Sequence, residues 1–191
     1  MDRVVKFRRV RPLTLYRLCV CAAVIGLMAL ATPASAEMLR VRPLVRDGQV
    51  LVSFQLEQGF TEQVRQFVQS GLRTTFTYTV ELKLRVPAWV DRTVAVAVVS
   101  TTVEFDNLTR RHTISRTLDG RMEESRVVED EAIVRQMMTT FERLPLFDTD
   151  LLEQNREYYV IVHAEARPRS GAALWPWGGA TSGMAKFTFI P

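Results

Sequence analysis

Apolar and polar residues alternate most strictly between Thr74 and Val86. Phe76, Tyr78, Val80, Leu82, Leu84 and Val86 share one phase, and Thr75, Thr77, Thr79, Glu81, Lys83 and Arg85 share the other. Period two sustained over that length predicts a long strand with one buried and one wet face. A single wet face predicts an antiparallel sheet, because parallel strands are usually covered on both sides. Pro87 stops the strand.

Weaker alternation places further strands around it. Leu39–Val45 and Gln49–Leu56 flank Asp47-Gly48, a pair that predicts a hairpin turn. Thr93–Phe105 changes phase between Val98 and Val99, which predicts a bulge there. Asp106-Asn107 and Asp119-Gly120 mark turns into Arg111–Thr117 and Arg121–Val128, giving a meander. Tyr158–Arg167 is partly apolar on both faces and reads as a central strand. Ala185–Ile190 reads as the last one.

Two stretches carry helical spacing instead. Thr61–Ser70 has Thr61 as N-cap, Val64, Phe67 and Val68 on one face, and Gly71 as the left-handed terminator. Glu129–Arg143 starts with three acidic residues and carries an apolar stripe of Ile133, Val134, Met137, Met138 and Phe141, with Pro145 beyond it. Two helices among seven or eight strands cannot supply alternating crossovers. The predicted fold is mainly β: an antiparallel β-sandwich or curved sheet with two short covering helices.

The first 36 residues follow a different logic. A basic stretch ends at Arg17, an apolar run covers Leu18–Ala31, and Ala34-Ser35-Ala36 offers small residues for cleavage. The apolar run falls short of the ~20 residues that span a bilayer. A signal peptide over 1–36, cleaved after Ala36, is therefore expected, with 37–191 as a single β-rich periplasmic domain. The net charge of +4 comes from this segment. It holds six of the 25 Lys and Arg residues and one of the 21 acids, so the remainder is slightly acidic and no nucleic-acid partner is expected. Both cysteines lie here too, which leaves the domain without a disulfide or a Cys nucleophile.

Candidate chemistry is sparse. His112 and His163 are the only histidines; His112 reads as part of an exposed strand and His163 as a packed or edge residue. Asp148, Asp150 and Glu153 have oxygen spacing that can suit calcium, but a capped turn explains them more simply. Asn107-Leu108-Thr109 fits a glycosylation acceptor, or simply a turn. No catalytic residue, cofactor or metal is expected. Trp175 and Trp177, in a Gly/Pro/Trp loop over 168–183, are the candidate contact residues. Each forgoes about 1.5–3 kcal/mol if left in water, so they predict a partner or membrane contact, or a fold back over a sheet edge.

The chain resembles an uncharacterised bacterial exported family, domain of unknown function 4390. The resemblance rests on the export signal, the helix end Ser70-Gly71-Leu72, the strand TTFTYTVELKLR followed by Trp89, the segment VEFDNLTRRHTI, and the strand from Glu157 to His163. It spans roughly Met38 to Pro168. It implies no activity, cofactor or catalytic residue. Genes of that family often neighbour a two-component sensor kinase, which implies a link to envelope signalling. The leading expectation is a non-catalytic envelope interaction module whose partner is another envelope protein or a sensor ectodomain. The alternatives are a carrier of an apolar ligand such as lipid and, last, a hydrolase using Asp148, Asp150 or Glu165.

Overall fold

The computed structural model describes residues 39–168 and 181–190, all within Glu37–Pro191, the second of two units into which the chain divides. Among the described residues nine strands and two helices run in the order β1 (Leu39–Arg46), β2 (Gln49–Leu56), α1 (Glu62–Gln69), β3 (Thr74–Leu84), β4 (Arg92–Asp106), β5 (Arg111–Leu118), β6 (Arg121–Val128), α2 (Glu131–Thr139), β7 (Thr140–Asp148), β8 (Arg156–Pro168) and β9 (Thr181–Phe189). A 3-10 turn, Thr149–Leu151, follows β7. The strands form two antiparallel sheets, β1-β2-β7 and β6-β5-β4-β3-β8-β9. This is the expected mainly-β sandwich-like fold.

Local sequence explains most elements. Asp47 and Gly48 both have positive φ, the conformation that a two-residue hairpin turn requires. Thr61 caps α1 by accepting a hydrogen bond from Val64 N at 3.3 Å. At its other end Leu72 N donates to Phe67 O and Gly71 N to Val68 O, with Gly71 at φ 81°. That paired geometry satisfies the last carbonyls of the helix. β3 is the spine of the larger sheet, bonded to β4 on one side and β8 on the other. Every second residue from Thr74 to Leu84 is buried, as its alternation predicts.

The space between the sheets is filled. Phe54 from β2 stacks on Phe141 from β7 at 4.5 Å between ring centroids, and both meet Tyr78 from β3, at 5.0 and 4.9 Å. Aliphatic side chains of β2, β3, β4 and β8 extend this cluster along the sandwich. β1 closes over β9 so tightly that a Cβ on Gly183 would overlap the carbonyl oxygen of Leu39.

Three expectations need correction. The second helix ends at Thr139, not Arg143, and the chain passes without a loop into β7. Phe141 leaves the helical stripe because the ring cluster offers it a better site against Phe54 and Tyr78. Two side chains also take over the helix's last carbonyls: the Tyr78 hydroxyl donates to Met138 O at 2.7 Å, and Arg116 donates to Met137 O at 3.3 Å. Second, the β4 irregularity lies at Val94, skipped where Leu82 faces Ala95 and Lys83 faces Thr93. Val94 thereby turns back to pack on the core while Val96 stays exposed. Third, His112 is buried, because it shares the inward phase of β5 with Ile114.

Gly183→Ala tests the close approach of β1 and β9. Its clash is with backbone, which cannot move aside as a side chain does, so urea unfolding should show a loss of about 1–3 kcal/mol. Unchanged stability would contradict the contact.

Candidate functional site

The turn from β3 to β4 carries the strongest surface feature. Trp89 is 82% exposed and Val90 80% exposed. The turn beneath them is well braced. Asp91 accepts from Val86 N at 3.0 Å with one carboxylate oxygen and from the Tyr159 hydroxyl at 2.7 Å with the other. Trp89 N donates back to Val86 O at 3.2 Å. Ala88, at φ 61°, completes the reversal in a conformation that non-glycine residues seldom adopt. These hydrogen bonds, the Val86 N–H first, hold the Asp91 carboxyl below the usual carboxylate range. Desolvation and the neighbouring carboxylate push the Tyr159 phenol up to about 12. The turn is therefore locked as an ionised carboxylate bound to a neutral phenol at physiological pH.

Other elements bring more apolar surface to the same end. Leu84 faces Tyr158, Tyr158 faces Phe187, and Asn155 N donates to Phe189 O. The segment before β8 and the residue after β9 therefore lie beside the turn. They contribute Leu151, half exposed, and Ile190, 72% exposed. Arg85–Glu157 at 2.9 Å, Arg92–Glu153 at 3.1 Å and Arg156–Glu153 at 3.7 Å pair the nearby charges. The end of the sandwich thus presents apolar tips among mutually neutralised ions. Exposed ion pairs of this kind add little stability. Their effect here is to leave the indole as the dominant contact group.

The residues singled out from sequence scatter. Trp175 and Trp177 lie outside the described residues, as does most of the expected 168–183 loop; its described ends are strand instead, Pro168 closing β8 and residues 181–183 opening β9 ahead of the expected Ala185. His112 faces inward on β5, whereas His163 lies on β8 in phase with Ile161, on the opposite face of the large sheet from buried Val162. Asp148 makes no side-chain cap bond to the 3-10 turn, and Glu153 is committed to Arg92 and Arg156. Glu165 faces Thr77 in mid-sheet. Among the described residues no group of three His, Cys, Asp or Glu side chains is placed to hold a metal. Asp106, rather than Asn107, organises the β4–β5 turn, accepting from Leu108 N and Thr109 N. In the sequence Trp89 stands out only as part of the family resemblance. The available signal was a tryptophan in a proline-containing turn followed by an aspartate.

A family model described as Domain of unknown function (DUF4390) matches residues 33–169. The chain belongs to this family. The match runs from β1 through β8 and takes in the Trp89 turn, while β9 lies beyond it. No curated protein and no solved structure matches the chain. Among the described residues, no helix of this DUF4390 member is long and apolar enough to cross a membrane.

A cleft of about 380 Å³ is lined by Gln69, Phe105, Asn107, Arg110, His112, Glu129 and Glu131. His112 is 6% exposed, its ring lies 4.6 Å from that of Phe105, and its buried Nδ1 has no hydrogen-bond partner among the described residues. Burial lowers its pKa, against smaller raising effects from the Val128 backbone and Glu131. The unfolded imidazole takes up a proton near pH 6.5, whereas the folded one stays neutral to a lower pH. Stability should therefore fall as pH drops through 6.5 toward the folded value. Urea midpoints at pH 8 and pH 5.5 should differ more for the wild type than for His112→Phe. An equal difference in both proteins would show that His112 contributes nothing to the slope.

Proposed function

We propose that this DUF4390 protein is exported to the periplasm and acts there, without catalysis, as a protein-binding module. It docks an envelope partner, such as a sensor ectodomain, through the Trp89 end. The observation that carries this reading is the rigid presentation of Trp89 and Val90, both at least 80% exposed, on a turn held from two sides by Asp91. Binding surfaces concentrate their energy in a few preorganised anchors, with tryptophan prominent among them. A braced turn loses little entropy when its indole enters a partner's pocket.

The solid interior supports this reading over an apolar-ligand carrier. The rings of Phe54, Tyr78 and Phe141 occupy the volume a carrier would leave open. The separation of the two histidines and of Glu165 from the Asp148 turn gives no support to a hydrolase.

A photo-crosslinking residue placed at Trp89 in cells, with Thr113 on the outer face of β5 as control, tests the proposal. The expected result is a discrete adduct specific to position 89, located in the periplasmic fraction on a protein whose mature N-terminus is Glu37. Binding rebuilt from the purified pair should then weaken about tenfold or more in Trp89→Ala. Identical diffuse products from both positions would overturn the docking surface. Retention of Met1 in the cytosol would overturn the export.

A further inference from the structure

The outer face of the smaller sheet carries a feature that the docking reading does not use. Across this sheet, Arg42 on β1 faces Ser53 on β2. Ser53 in turn accepts a hydrogen bond, through its hydroxyl, from Arg143 N on β7 at 2.9 Å. One row further along, Arg40 faces Gln55, and Gln55 faces Thr140. These residues line one cleft of about 340 Å³ on the outer surface, and Phe54 and Phe141, whose rings turn inward to the core, complete its lining. Among the described residues three arginines thus line it, against the one carboxylate of Glu142. Arg40 is paired with Glu57 at 2.9 Å, outside the lining. Arg42 and Arg143 make no ion pair with any described residue.

The backbone at Arg143 is unusual. Between the positions that pair with Val52 and Phe54, β7 sets two residues, Glu142 and Arg143, against the single Ser53 of β2, one residue in excess. Arg143 sits at φ 47°, inside a strand and not in a turn. A bulge of this kind redirects a side chain at the cost of local strain. Here it sets Arg143 on the lining of the cleft that Arg42 borders from the opposite edge strand. Paired guanidiniums with planar donor forks, beside hydroxyl and amide donors, match an oxyanion that accepts several hydrogen bonds at once.

We propose that the Arg42–Arg143 cleft binds a phosphate-type oxyanion, with Ser53, Gln55 and Thr140 offering secondary hydrogen bonds and Arg40 reinforcing the field. The same chemistry is found in a free phosphate group and in the headgroup of an anionic phospholipid. The cleft is separate from the Trp89 turn, so its occupancy and partner docking can fail independently.

The test uses the mature chain and two probes. Inorganic phosphate is titrated while backbone amide resonances are followed by NMR, and flotation is measured with vesicles of phosphatidylcholine containing phosphatidylglycerol, against phosphatidylcholine alone. Shifts confined to residues of the cleft, or flotation that needs phosphatidylglycerol, support the proposal; the first result alone assigns a free phosphate group, the second alone a lipid headgroup. In either arm binding should weaken with salt. It should weaken about tenfold or more in Arg42→Gln and in Arg143→Gly. Arg143→Gly removes the guanidinium and the left-handed strain together, so it should unfold at no lower a temperature than the wild type. Absence of both responses in the wild type would overturn the site, as would binding that both variants retain in full.

Discussion

The architecture depends on how the C-terminal end of α2 is held. That helix runs directly into a strand of the opposite layer, so its last carbonyls point into the interior with no loop to satisfy them. Tyr78, from the centre of β3, and Arg116, from the inner face of β5, each bond one of two consecutive carbonyls. The Arg116 guanidinium also lies 4.6 Å from the centre of the Phe141 ring, the first large side chain of β7. The arrangement has costs. Burial raises the Tyr78 pKa and lowers that of Arg116, and the Arg116 Nε has no hydrogen-bond partner among the described residues. Both side chains are therefore held to their respective tasks, one as a neutral donor and the other as a partly desolvated cation. Without them β7 has no fixed start, β2 loses its second neighbour, and the ring cluster loses Phe141.

Elements with a local cause were legible in the sequence. Strict alternation marked β3, Asp47-Gly48 marked the first hairpin, and Thr61 with Gly71 bounded α1. The family resemblance was legible as well, because two of the segments that carried it, the end of α1 and the long strand β3, are among these elements. β7 was hidden because Met137, Met138 and Phe141 continue a helical spacing that only tertiary competition interrupts. The consequence reached the surface: with Arg143 assigned to a helix, its convergence with Arg42 across three strands could not be foreseen. His112 was misjudged because Arg110 and Arg111 beside it suggested a wet strand. The alternation His112, Ile114 carried the correct face.

The two surface features differ in the chemistry they offer. The Trp89 end is apolar, rigid and locally neutralised. The Arg42–Arg143 cleft is polar, cationic and built on a strained bulge. They lie on different parts of one sandwich: the first at the end where β3 stops and β8 begins, the second on the outer face of the smaller sheet toward the start of β1. Both places combine exposure with backbone that is firmly set.

The central structural claim concerns the coupling between Tyr78 and Arg116. A double-mutant cycle with Tyr78→Phe and Arg116→Met, read by urea unfolding, tests it most directly. If both hold one helix end, losing the first loosens the site that the second serves. The two costs should then fall short of additivity by about 0.5 kcal/mol or more. Losses that add to within about 0.3 kcal/mol would show two independent contacts and contradict the account.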